Sequence, residues 1–217
     1  MSPMLPGWLL GLMSLASLAL LGWSIYSYRW SALIEHRPAQ HLFFGSVLVM
    51  ILFWQAQAGI VPGLGFHILA LTSVTLMMGW RLALVATAMM QLVLALLGQF
   101  EWSALGYHYL VQNAAPIGFT YGFYSLVYRR LPHNPFIYIL VAGFLNAGVT
   151  HAFLDVLQSS VYALSDTYTT DRIWHDYLRY LPLMMFPEGV VNGMFIAGMV
   201  AFHTEWLSTF NEESYFK

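Results

Sequence analysis

Apolar stretches approaching 20 residues follow one another through most of this chain, separated by short polar links. A bilayer core about 30 Å thick needs about 20 apolar residues per helical crossing. In hydrocarbon only helices and closed barrels satisfy their backbone groups. A barrel would show short alternating strands instead of continuous apolar blocks. Only 8% of the 217 residues are charged and 59% are hydrophobic, against about 25% charged in an average soluble domain. The predicted fold is all-α: a single polytopic transmembrane domain over residues 1–217.

Seven crossings are predicted. They run over about 7–28, 41–58, 66–79, 82–97, 108–128, 136–163 and 177–203. The third is short, about 20 Å at 1.5 Å per residue. It follows the Gly- and Pro-bearing loop GIVPGLG. A half-helix entered through buried loop is the expectation, since irregular backbone survives at membrane depth only where protein or a cavity satisfies it. The opening MSPMLPGWLLG has no Lys or Arg before its apolar run, so a permanent first helix is expected instead of a cleaved signal.

Basic residues orient such proteins, because cytoplasmic loops carry the excess. With the N-terminus outside, Arg29, Arg37, Arg81, Arg129, Arg130 and Lys217 fall inside, and Arg172 and Arg179 outside. The expected location is a cell (inner or plasma) membrane, with the lipid bilayer as surroundings and the C-terminus in the cytoplasm. There is no cysteine, which excludes disulfides and thiolate ligands. No basic patch suggests nucleic acid. HExxH, GxSxG, GxGxxG and P-loop patterns are absent. No nucleotide site is expected on this chain, nor an enzyme activity; any coupled ATP hydrolysis belongs to a separate chain.

Glu188 lies inside the apolar stretch from Leu181 to Phe202. A carboxylate at the centre of a spanning helix costs roughly 2.5–3.5 kcal/mol on insertion scales and usually marks a functional site. His67, His108, His151 and Asp155 sit in or at the edge of other apolar segments. Helix direction places several of these groups in the outer half of the membrane. His151 falls about 23 Å up the sixth span and Glu188 about 17 Å down the seventh. His151 and Asp155 share a helix face at i and i+4. Imidazole and carboxylate without thiolate suit nickel, cobalt, zinc or copper. The predicted metal ligands are His67, His108, His151 and Glu188, supported by Asp155, Gln91, Asn113 and Asn192. A His–Asp pair one turn apart serves equally as a tie between helices. His36, His133, His175 and His203 lie at span ends or in loops and read as solvated.

Several segments together resemble the CbiM/NikM-type substrate-binding membrane components of energy-coupling-factor transporters. They are GLGFHILALTSVTLMMGW with His67 in the ligand position, MMQLVLALLG with Gln91, LGYHYLVQNAAPIGFTYGFYSLVYRR with His108 where the family has Asn, and MMFPEGVVNG with Glu188. The similarity runs over about 57–203. It implies a permease that binds and translocates a transition-metal ion or small solute, cobalt or nickel in the family. The implied partners are scaffold and ATPase subunits of an ABC-type transporter. One departure is plain: the family begins Met-His and uses that terminus as ligand, whereas this chain begins Met-Ser-Pro. Two alternatives stay open. One is a haem- or metal-bearing membrane subunit with two of the histidines as axial ligands. The other is an accessory or assembly protein that kept the fold without transport.

Overall fold

The computed structural model describes residues 5–56, 58–61 and 63–216. The chain is a helical bundle with one small hairpin. Helix α1 is Gly7–Ser27 and α2 is Arg37–Gln55. Strands β1 (Ala58–Val61) and β2 (Leu64–Phe66) pair antiparallel where the sequence predicts a loop. Helix α3 is Leu71–Leu96. Helix α4 covers 105–130 and has a π-helical stretch, His108–Ala114, inside it. Helix α5 is Pro135–Leu164 and α6 is Leu181–Phe202.

Among the described residues, five helices are long and apolar enough to cross a membrane: α1, α2, α3, α5 and the segment ending in α6. Helix α4 is more polar because the bundle shields it. Its His108, Gln112, Asn113 and Thr120 are all buried. Helix α1 is the opposite case, with Leu12, Leu15 and Leu18 each more than half exposed, as a lipid-facing helix requires.

Helix α3 is two helices. Gly79 takes φ 77° and ψ 161°, a conformation essentially reserved for glycine. The two sides run in opposite directions along α4. Before Gly79 the pairing is parallel: Thr72 meets Thr120, and Leu76 clusters with Tyr124. After it the pairing is antiparallel: Leu84 and Ile117 line one small cavity with Trp80 and Tyr121, and Gln91 bonds Asn113. The chain therefore turns back at a single residue. Residues 71–78 form a half-helix of about 12 Å, and residues 80–96 make the next crossing. Counted this way there are seven passes, and the third is the expected half-helix. Its first part, 66–70, is not helical: the strand ends at Phe66, 67–69 are irregular and Ala70 is left-handed.

Two faces follow from these pairings. The turn at Gly79, the ends of α1 and α4, the start of α5 and the C-terminal tail share one face, here the tail face. Tyr124 and Tyr138 both bond Thr209 there. Arg29, Arg37, Arg81, Arg129 and Arg130 belong to this face. Arg172, Arg179 and the β1–β2 hairpin belong to the opposite, hairpin face.

The non-helical backbone at 63–70 needs polar partners. Gly63 O accepts from Gln158 Nε2 and from the Tyr162 hydroxyl. Leu69 O accepts from Trp54 Nε1 at 3.3 Å. Leu69 and Ala70 donate their N–H groups to Glu188, at 2.7 and 3.0 Å. Phe66 stacks on Tyr177 with ring centres 4.5 Å apart. The loop is thus held from three helices.

Candidate metal centre

Five of the predicted residues, His67, His151, Asp155, Glu188 and Asn192, gather where the segment after β2 becomes the half-helix. His151 lies between two carboxylates. Its Nδ1 is 3.6 Å from Glu188 Oε2, and its Nε2 is 3.6 Å from Asp155 Oδ2. Both distances are too long for a hydrogen bond. All three side chains are at most 3% exposed. Among the described residues no Lys or Arg pairs with either carboxylate. His67 lies close enough to His151 to interact electrostatically. Its ring packs edge-on against Trp54 at 4.4 Å, and neither ring nitrogen has a hydrogen-bond partner.

The two carboxylates have different duties. Glu188 is committed to the backbone. Oε1 accepts from Ala70 N and from Asn192 Nδ2 at 2.8 Å, and Oε2 accepts from Leu69 N. Asn192 completes the clamp: its Oδ1 accepts from Ser73 N at 2.9 Å and Ser73 Oγ at 2.7 Å. A carboxylate and an amide one turn apart on α6 thereby satisfy donors that a helix N-terminus leaves open. The negative charge also sits at the positive end of the half-helix dipole. Asp155 is freer. Its Oδ1 accepts the Tyr177 hydroxyl at 2.6 Å, and its buried Oδ2 accepts no hydrogen bond. The sequence suggests Glu188 as ligand and Asp155 as support; the free lone pairs favour the reverse weighting.

His108 belongs to a different polar group. Its Nδ1 pairs with Gln112 Oε1 at 2.9 Å, and its ring lies 4.4 Å from Phe100. Gln91 donates to Leu105 O at 2.7 Å and accepts from Asn113 Nδ2 at 2.8 Å. Asn113 also reaches His108 O. These amides serve the π-helical stretch, whose backbone groups are displaced from ordinary helical partners. No hydrogen bond among the described residues links this group to His67, His151 or Glu188. No set of three or more His, Asp or Glu side chains in the described residues stands ready in metal-ligating geometry. The departure at the N-terminus, Met-Ser-Pro, lies outside the described residues.

Sequence reasoning missed Tyr177, Trp54 and Ser73. The solvated reading of His133, His175 and His203 agrees with their exposed positions.

Just below the centre, Thr72, Thr120, Thr150 and Asn146 form a buried chain of hydrogen bonds at 3.0–3.2 Å. It ties the half-helix to α4 and α5. A fixed polar layer of this kind resists rotation of the helices that carry the site.

Comparison with known proteins agrees with this architecture. Two solved structures described as a truncated transition metal transporter and a transition metal transporter share the fold. The first has a TM-score of 0.69 at 15% identity, covering 93% of this chain and 95% of that one. The second has a TM-score of 0.68 at 16% identity, covering 94% and 92%. No curated protein matches the chain. The sequence matches the family described as the cobalt uptake substrate-specific transmembrane region, CbiM, over residues 1–206, well beyond the 57–203 suggested by its motifs. The chain belongs to the CbiM family of metal-uptake membrane components.

Proposed function

We propose that this chain is the metal-recognising permease of an energy-coupling-factor-type importer, and that its cargo is a divalent transition-metal ion. The observation that carries the reading is a buried imidazole, His151, set between two buried carboxylates, with no Lys or Arg paired to either among the described residues. When His151 takes the neutral form that a metal ligand needs, ionised Asp155 and Glu188 bring two negative charges into the site. Isolated charges are costly at this depth. One divalent cation balances them. Imidazole with carboxylate is the donor set that suits nickel, cobalt, zinc or copper.

In this reading His67 and His151 offer imidazole nitrogens and Asp155 offers Oδ2. Glu188 contributes the capacity left on Oε2 while holding the loop in place. His108 stands apart, on the support of its own contacts. Ligand bonds near 2 Å require the side chains to draw in around the ion, and the 3.6 Å gaps leave room for that. The membrane scaffold and the ATPase are separate chains in this reading. The tail face lies in the cytoplasm, because five of the basic residues above are on it and two are opposite.

The test is elemental analysis of the full chain purified in lipid nanodiscs, with the His151→Ala and Asp155→Asn variants alongside. Stoichiometric nickel, cobalt, zinc or copper that both variants lose supports the reading. A metal-free protein that takes up none on titration, or a Soret band from bound haem, overturns it.

A further inference from the structure

The half-helix 71–78 has both ends held by one stretch of chain. Glu188 and Asn192 hold its N-terminal end from α6. Its C-terminal end is held by the tail that follows α6. Because the chain turns at Gly79, the carbonyls of Leu76 and Met77 lose their helical partners. The tail supplies them. Ser208 N donates to Met77 O at 2.9 Å. Thr209 Oγ1 donates to Leu76 O at 2.6 Å, with Thr209 N at 3.3 Å from the same oxygen. Thr209 is anchored in turn: its O accepts the Tyr124 hydroxyl, and its Oγ1 meets the Tyr138 hydroxyl, both at 2.6 Å. Leu207, Phe210 and Tyr215 bury themselves in the same cluster as Leu76 and Tyr138. Ser208 and Thr209 lie past residue 206, where the family match ends.

A single helix of about 12 Å clamped at both ends behaves as a strut. Its upper end carries Leu69 and Ala70, the amides on Glu188, two and three residues after His67. A shift at the tail is therefore passed to the site along one rigid element, not through a diffuse core. We propose that Thr209 is a positioning residue for the metal centre, acting from the opposite end of the half-helix. The metal part of this inference rests on the function proposed above; the mechanical part does not.

The experiment is amide hydrogen exchange on the full chain in nanodiscs, combined with Co2+ titration. Thr209→Val keeps the shape and removes the hydroxyl, Thr209→Ser keeps the hydroxyl, and Ser208→Pro removes the second donor. Exchange over 67–73 should rise roughly tenfold in Thr209→Val and Ser208→Pro, the scale of one lost buried hydrogen bond. Thr209→Ser should match the parent, and 80–96 should stay protected in all. Co2+ affinity should fall roughly 5- to 150-fold in Thr209→Val, the usual range of coupling between sites, and return in Thr209→Ser. Faster exchange confined to 74–78, or none at all, overturns the strut. Coupled exchange with unchanged Co2+ affinity overturns the positioning role. If the parent chain binds no Co2+ yet 67–73 still responds to Thr209→Val, the strut stands and the proposed function fails.

Discussion

Glu188 accepts the backbone N–H of Ala70 at 3.0 Å, across 118 positions of sequence. Ala70 has φ 57°, a left-handed conformation uncommon for a residue with a Cβ. The carboxylate and the strained residue occur together because the segment after β2 must turn abruptly into the half-helix inside the bundle. The N–H groups exposed by that turn have no water to bond. An acid that looks like a ligand in the sequence is therefore also the N-terminal anchor of the half-helix.

Glu188→Gln should destabilise the fold as well as weaken metal binding. The amide replaces one accepting oxygen with a donor, which faces Leu69 N or Ala70 N. An unsatisfied buried donor costs about 1–3 kcal/mol. Asp155→Asn should leave stability closer to that of the parent, since the Tyr177 hydroxyl can still donate to the remaining carbonyl. Thermal unfolding of both variants in one lipid composition checks the contrast. Equal losses for the two would argue against the division of duties between the carboxylates.

His67→Ala should abolish Co2+ or Ni2+ binding with the helical fold retained. Among the described residues neither ring nitrogen is in hydrogen-bond geometry with a partner, and the ring packs on Trp54, so its removal chiefly opens space. Isothermal titration with Co2+ and Ni2+ on parent and variant reads the loss, and circular dichroism reads the retained fold. Binding by His67→Ala equal to that of the parent would remove His67 from the ligand set.

Gly79→Ala should cost about 1–3 kcal/mol, the scale of a residue forced into a glycine-only region. Space is not the obstacle. A Cβ there would meet only Ser208 Oγ, at 3.7 Å. The strain lies in the backbone, and ψ 161° lies outside the left-handed helical well that Asn tolerates, so Gly79→Ala and Gly79→Asn should lose similar stability and the β-branched Gly79→Val the most. A thermal series over the three variants in nanodiscs should keep that order.

Much of this was legible in the sequence, for physical reasons. Apolar length sets the crossings within a few residues. GIVPGLG before a short apolar segment signals the half-helix, because glycine next to a span too short to cross needs protein around it. The cost of Glu188 in hydrocarbon, and the i, i+4 spacing of His151 and Asp155, bring those three together. What the sequence did not carry was rotation about each helix axis. His108 opens its helix at a suitable depth, but its ring faces Gln112 and Phe100 at the start of a π-helical stretch, His108–Ala114. Nothing in composition or periodicity marks that extra residue per turn. The duty of Glu188 was hidden for a similar reason. Its partners are backbone amides, which every residue has and no motif displays.

Gly106→Ala should be among the most damaging single-methyl additions in the chain, and Gly118→Ala among the most harmless. A Cβ on Gly106 would fall far inside van der Waals contact with the backbone of Ser14 on α1. Backbone atoms cannot swing aside as a side chain can, so α1 must move away from α4. Overpacking of this kind typically costs about 1–3 kcal/mol. Here the lost contact is also a small-residue helix crossing of the type that holds membrane helices together. Gly118 has nothing within 4 Å of an added Cβ. Its replacement should stabilise by about 0.5–1 kcal/mol through the helix preference of Ala. Unfolding midpoints of the two variants, measured in the same nanodiscs, should move in opposite directions from the parent. A Gly106→Ala protein as stable as the parent would mean that α1 packs more loosely on α4 than this crossing requires.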